Sequence, residues 1–211
     1  MITPRSLLGL LAASLLATGC ATTAVEPGSG ARVADPGVLT QWTAKGRIAL
    51  VAQGRGGSGS FVWQQRSERT ELLVRGPLGA GGLQVTTDGE SLELADSSGQ
   101  PLDGAAARAE LERRLGVVLP LAELRYWMLG VPAPQETAGP VEKPEDATAP
   151  GFIQRGWTVR YQTLGEQAGW RLPSHLSATT GDTRVRIVVD DWMLAHAMSR
   201  RRRSRRRACR R

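Results

Sequence analysis

Apolar and polar side chains alternate from Trp42 to Ala52. Trp42, Ala44, Gly46, Ile48, Leu50 and Ala52 fall on one face, and Thr43, Lys45, Arg47, Ala49 and Val51 on the other. A period of two is the mark of a strand with one buried face. The alternation recurs at Phe61 and Trp63, at Leu72 and Val74, at Leu83, Val85 and Thr87, and at Leu92 and Leu94. Gly54–Gly57, Gly76-Pro77-Leu78-Gly79, Asp88-Gly89 and Ser97–Gly99 separate these runs. Asp-Gly between alternating runs is a strong hairpin signal, because tight turns demand positive φ. Five closely spaced strands therefore predict an antiparallel meander.

The period then changes. Asp103–Leu115 is rich in Ala, Glu and Arg, with Leu111, Leu115 and Val118 at helical spacing. A second helix over Leu121–Leu129 sets Leu124 and Met128 on one face with Trp127 beside them, and Gly130 and Pro132 stop it. Val131–Gly151 holds five prolines and reads as a loop. Alternation resumes at Trp157, Val159 and Tyr161. It continues through Trp170, Leu172, Leu176, Ala178, Val185, Ile187 and Val189 to Asp190-Asp191-Trp192. Strands, two short helices and more strands predict a mainly β (α+β) fold. The expected form is a curved antiparallel sheet or half-barrel with the helices on its concave face. Trp42, Ile48, Leu50, Phe61, Trp63, Leu72, Val74, Leu83, Leu92 and Leu94 would point inward, facing Leu124, Trp127, Met128 and Leu129. A filled core and a cavity give the same periodicity. If a cavity exists, Trp127 and Met128 suit its wall, because a wide ring and a flexible thioether adapt to varied shapes.

The N-terminus departs from this pattern. After Arg5, Leu7–Ala17 is apolar. About 20 apolar residues are needed to span a bilayer, so residues 1–19 read as a secretory signal peptide. The run ends Leu16-Ala17-Thr18-Gly19-Cys20, which resembles the bacterial lipobox. By that resemblance Cys20 takes a diacylglyceryl and an N-acyl group and becomes the first residue of the mature chain. The position three before the Cys, usually larger and aliphatic, is Ala17. Two or more acyl chains anchor a protein stably. Ala21, rather than Asp, follows the Cys, which by resemblance fits export to the outer membrane. Residues 20–40 are then the lipidated Cys and a flexible tether of small and polar residues.

Charge removes several function classes. The net charge is +7, but nine arginines lie in Arg200–Arg211, and without them the rest of the chain stands at −2. That excludes a basic nucleic-acid face on the body. The tail, residues 194–211, repels itself and is expected to be disordered. Cys20 and Cys209 build no disulfide framework. His175 and His196 offer no metal spacing, no Ser-His-Asp set has a suitable context, and the glycines of Gly54–Gly59 open no helix. Asp190-Asp191 reads as a strand end facing solvent. No enzyme, no metal and no cofactor beyond the acyl groups on Cys20 are expected.

Several segments then carry a resemblance. They are Gly46-Arg47-Ile48-Ala49, Gly59-Ser60-Phe61-Val62-Trp63-Gln64-Gln65, Gly76-Pro77-Leu78-Gly79 and Leu119-Pro120-Leu121. Tyr126-Trp127-Met128-Leu129-Gly130-Val131-Pro132, Gly156-Trp157-Thr158-Val159 and Val189-Asp190-Asp191-Trp192 complete them. In this order, behind a lipobox, they resemble the LolB family across residues 41–193. The resemblance implies an unclosed antiparallel barrel of about eleven strands, lidded by short helices over an apolar cavity. It implies a monomer, lipid-anchored on the periplasmic face of the outer membrane. Such a protein accepts lipoproteins from a LolA-like periplasmic carrier and inserts them into the inner leaflet among the phospholipids. By the same resemblance Leu78, between Pro77 and Gly79, is the exposed membrane-insertion residue. Trp63, Leu72, Val74, Leu124, Trp127, Met128 and Leu129 would line the acyl-chain cavity. The alternative reading is a lipid-anchored binding protein for a small apolar ligand.

Overall fold

The computed structural model describes residues 35–77, 81–96, 101–145 and 149–195. Cys20, Leu78, Gly79 and Arg200–Arg211 lie outside the described residues. After a short 3₁₀ turn at Pro36–Val38 come β1 (Gln41–Ala52), β2 (Arg55–Arg66), β3 (Arg69–Arg75), β4 (Gly82–Thr87), β5 (Leu92–Asp96) and β6 (Leu102–Asp103). The helices α1 (Gly104–Leu115), α2 (Leu121–Met128) and α3 (Gln135–Ala138) follow. The chain then returns as β7 (Gly151–Gln154), β8 (Trp157–Gln167), β9 (Trp170–Thr180) and β10 (Thr183–Leu194).

The ten strands form one sheet in the order β6-β5-β4-β3-β2-β1-β10-β9-β8-β7. The first and last long strands pair at its centre, and the edges β6 and β7 stay unpaired with each other. The sheet is therefore unclosed, as the resemblance implies, and the helical segment joins the edge strands β6 and β7. The proline-rich stretch, expected to be a loop, holds the short α3 and, among the described residues, a single bridge, Glu142 to Ile153, rather than a further strand. Prolines lack the N–H that a ladder needs.

Two boundaries differ from expectation, each for a local reason. Gly54–Gly57 reads as a spacer, yet Ala52 pairs with Arg55 and the turn is only Gln53-Gly54, both at positive φ. Their left-handed conformations match the twist of a two-residue hairpin, so the glycines beyond are strand. β9 runs through Pro173 because its pairing with β10 reaches only His175, which leaves the proline free of a donor requirement on that side.

Alternation in β10 breaks where Lys45 pairs with Asp191 and the next residue, Gly46, pairs with Val189. Asp190 is the extra residue of a bulge, which lets Val189 and Trp192 both point inward. A Cβ on Gly46 would sit 2.0 Å from the Val188 carbonyl oxygen, so only glycine fits there. Asp190 lies on the outer face and accepts from the Arg47 guanidinium at 2.8 Å. The paired carboxylates are thus a bulge and an exposed ion pair.

One end of the interior is solid. Trp42 stacks on Trp63 at 5.8 Å and meets Trp192 edge-on at 5.3 Å. Trp127 of α2 packs against Phe152 at 6.4 Å and Trp157 at 6.2 Å. Buried amides satisfy two of the indole donors, and Trp42 Nε1 is buried without a partner among the described residues. Gln65 Oε1 accepts from Trp63 Nε1 at 3.0 Å, and Gln154 Oε1 accepts from Trp127 Nε1 at 3.1 Å. Gln154 also bonds the Ala133 N–H and carbonyl, which holds the chain after α2 against β7. Tyr161 donates to the Trp127 carbonyl at 3.0 Å, and burial pushes its hydroxyl well above the usual tyrosine range.

Candidate functional site

The opposite end is hollow. Along the inner face of β1, Trp42 and Ala44 are buried, whereas Ile48 and Leu50 are only partly covered. There the sheet encloses an apolar cavity of about 310 Å³. Its wall comes from Ile48 and Leu50 of β1, Leu72 and Val74 of β3, Leu83 and Val85 of β4, and Val185 of β10. Leu111 and Leu115 of α1, with Leu119 and Leu121, form the cover.

The β2 flank of this cavity is Gly56-Gly57-Ser58-Gly59. Strand glycines supply no side chains, so the space that larger residues would fill stays open. Gly59 is also obligatory, because a Cβ there would lie 2.0 Å from the Arg75 carbonyl oxygen. The cavity runs from buried Leu72 and Val85 to exposed Arg55–Ser58, and so reaches the surface. That mouth is at the strand ends that carry the 76–81 connection. Val74 and Leu83 pair across β3 and β4 at its base.

The rim holds charge without bringing it inside. Glu110 accepts from Arg113 Nη2 and Arg114 Nε, each at 2.6 Å, and these bonds hold its carboxyl down at about 2. α1 ends at Gly116 in the left-handed conformation, with Arg113 and Arg114 in its last turn, where cations suit the helix dipole. Because the helix stops there, Val118 does not continue its apolar face and is exposed. The rim guanidinium of Arg114 is thereby oriented beside the mouth.

The site residues expected from sequence divide. Leu72 and Val74 line the cavity. Trp63, Leu124, Trp127, Met128 and Leu129 do not; each is buried in the packed core. The correction has a steric cause. Phe152 and Trp157 pack against the ring of Trp127 and Tyr161 donates to its carbonyl, so this part of the interior is filled by aromatic side chains. The cavity forms instead under α1, where the sheet offers aliphatic side chains and glycine. Pro77 is exposed and does not line the cavity, and Leu78, Gly79 and Cys20 are outside the described residues. Sequence reasoning missed the glycine flank and Leu119 and Leu121. A run of glycines inside an otherwise regular hairpin arm was the available signal.

Among the described residues, no helix is long and apolar enough to cross a membrane, and no three His, Cys, Asp or Glu side chains cluster to hold a metal. A family model described as "Outer membrane lipoprotein LolB" matches residues 40–192. The outer-membrane lipoprotein LolB of Halorhodospira halophila is 32% identical over 193 residues, covering 90% of this chain and 95% of that protein. Its counterpart in Pseudomonas putida is 33% identical over 156 residues, covering 73% and 75%. A solved LolA superfamily protein from Nitrosomonas europaea aligns with a TM-score of 0.45 at 11% identity, covering 75% of this chain and 87% of that one.

Proposed function

Because the chain belongs to the outer membrane lipoprotein LolB family, we propose that it takes lipoprotein acyl chains into the apolar cavity and releases them into the inner leaflet of the outer membrane. On this reading the protein is held at the periplasmic face by lipid on Cys20. It accepts its cargo from a LolA-like periplasmic carrier.

The observation that carries the proposal is the position of the cavity mouth. An apolar volume opens at the base of the 76–81 connection, through the Val74–Leu83 pair. That connection holds Gly76, Pro77, Leu78 and Gly79. Exposing a chain of about fifteen CH₂ groups to water costs roughly 12 kcal/mol, at ~0.8 kcal/mol each. A chain moves without that cost only if cavity and bilayer are adjacent at the moment of transfer. A loop that enters the acyl region beside the mouth supplies this adjacency. Transfer needs no nucleotide, because affinity alone can rise from carrier to receiver to bilayer.

A cavity of about 310 Å³ is at the small end of ligand pockets. Holding more than one chain calls for α1 to swing outward. Its cover is apolar contact from Leu111 and Leu115, with hydrogen bonds from Gln53 Nε2 to the Gly116 carbonyl at 3.2 Å and from Arg108 Nη2 to the Glu90 carbonyl at 2.6 Å. Such contacts re-form on any acyl chain, so the cover can exchange protein for lipid.

Photo-crosslinking tests the reading. Cargo carrying a photoactivatable acyl chain is loaded on the carrier and mixed with full-length protein in vesicles. Adducts are expected on Leu72, Val74 and Leu111. Adducts confined to other surfaces, or none while the carrier empties, would overturn it. Equal labelling by a free fatty acid with no uptake of cargo would favour a small-ligand binder.

A further inference from the structure

On the outer face, β10, β1 and β2 bring arginines and small residues into register. One row reads Arg186, Ala49, Ser58, and the next reads Val188, Arg47, Ser60, which continues to Arg75 on β3. Directly opposed side chains on such a face stand about 5 Å apart. These rows form a groove of about 470 Å³ whose end is Gly76-Pro77. Its floor is uncharged and largely apolar, from Ile48, Ala49, Gly59 and Val188, and Ser58 and Ser60 add hydroxyls. Arg47 is neutralised by Asp190, but Arg186, with Arg184 and Arg75 beside the groove, is exposed and has no carboxylate partner among the described residues. Among the described residues, three exposed guanidiniums thus stand in or beside a shallow, largely apolar groove edged by two serines, on a body whose net charge is slightly negative without the tail.

We infer that this groove docks the phosphate groups of a phospholipid bilayer when the adjoining connection enters the acyl region. The inference rests on the membrane role proposed above for that connection. Guanidinium forks match phosphate oxygens bidentately, and hydroxyls donate to them. Pro77 belongs to the groove and adjoins Leu78, so a Leu78 side chain at acyl depth leaves the groove at headgroup depth. The groove also shares Ile48, Ser58 and Gly59 with the cavity wall. Headgroups held outside and acyl chains held inside would then be separated by one strand thickness, which aligns the cavity with the leaflet. A basic side chain near an anionic surface gains ~1 kcal/mol, equivalent to about five-fold in membrane affinity per arginine.

Arginine labelling tests this on the full-length protein. It is reconstituted into vesicles of phosphatidylethanolamine and phosphatidylglycerol, or of phosphate-free digalactosyl diacylglycerol. Phenylglyoxal modification is then quantified for each arginine by mass spectrometry. Arg186 is expected to be protected about five-fold in phospholipid relative to glycolipid, while exposed Arg171 on β9, outside the groove, reacts equally in both. Equal labelling of Arg186 in the two vesicles overturns the inference. So does protection that appears only when the carrier is added, which would assign the groove to a protein partner. A second measurement uses Arg184→Ala with Arg186→Ala. Cargo receipt should be unchanged and insertion into phospholipid should slow by roughly 20-fold; normal insertion overturns the inference. Loss of insertion in Leu78→Glu with Arg186 unprotected would sink the groove and keep the loop. Protected Arg186 with normal insertion by Leu78→Glu would do the reverse.

Discussion

A carboxylate on the cavity wall should make cargo receipt depend on pH. Val74 is the position to change, because it lines the cavity, is only half-buried, and adjoins the mouth. In Val74→Glu the empty cavity can hydrate the new carboxylate, so the fold should survive. When an acyl chain enters, that water leaves and the group must be neutral. A glutamate with an ordinary value of ~4.3 costs about 3.7 kcal/mol to protonate at pH 7, at ~1.36 kcal/mol per unit. Chain occupancy at pH 7 should therefore fall by about 500-fold. The sign runs toward acid, since chain entry takes up a proton and receipt improves as pH falls. At pH 5 the same step costs only ~1 kcal/mol, so about 100-fold should return. Burying the neutral acid still costs about 1–3 kcal/mol at either pH. The assay is transfer of labelled lipoprotein from carrier to full-length protein at pH 5 and pH 7, each normalised to wild type. Val74→Gln is the neutral control and should show the residual loss without the pH dependence. Circular dichroism verifies that both variants are folded. Wild-type receipt by Val74→Glu at pH 7, or an equal defect at both pH values in a folded protein, would refute the assignment of the cavity to acyl chains.

Four further outcomes are expected. Leu78→Glu should block insertion while leaving receipt intact, and Leu78→Ile should behave as wild type; insertion by the Glu variant at the normal rate would make the loop structural. Gln154→Leu removes the acceptor of both Trp127 Nε1 and the Ala133 N–H. At about 1–3 kcal/mol for each orphaned donor, the melting temperature should drop by roughly 5 °C or more, and calorimetry showing no change would contradict the staple role. Mass spectrometry of the mature N-terminus should find Cys20 triacylated, and deletion of Ser199–Arg211 should leave transfer unchanged in high and low salt.

The strand face was legible in the sequence because its signal is local. Period-two alternation from Trp42 to Ala52 and at Val185, Ile187 and Val189 marks the inward residues wherever the strands sit, and all of these form or flank the interior. The two helices were legible for the same reason, and the ordered motifs carried the family. What alternation does not encode is how well the two sides of an interior fit. Trp127 and Met128 have the chemistry of a cavity wall, yet Phe152 and Trp157, brought in from β7 and β8, fill the space before them. Leu72 and Val74 are ordinary strand residues that line a cavity whose β2 flank is glycine. The outer arginines are likewise scattered in sequence from position 47 to position 186, and only the central pairing of β1 with β10 sets them in one groove. Burial is decided residue by residue and is written in the chain. A void or a charged basin is a deficit or surplus summed over strands far apart in sequence, and only the pairing of those strands decides where it falls.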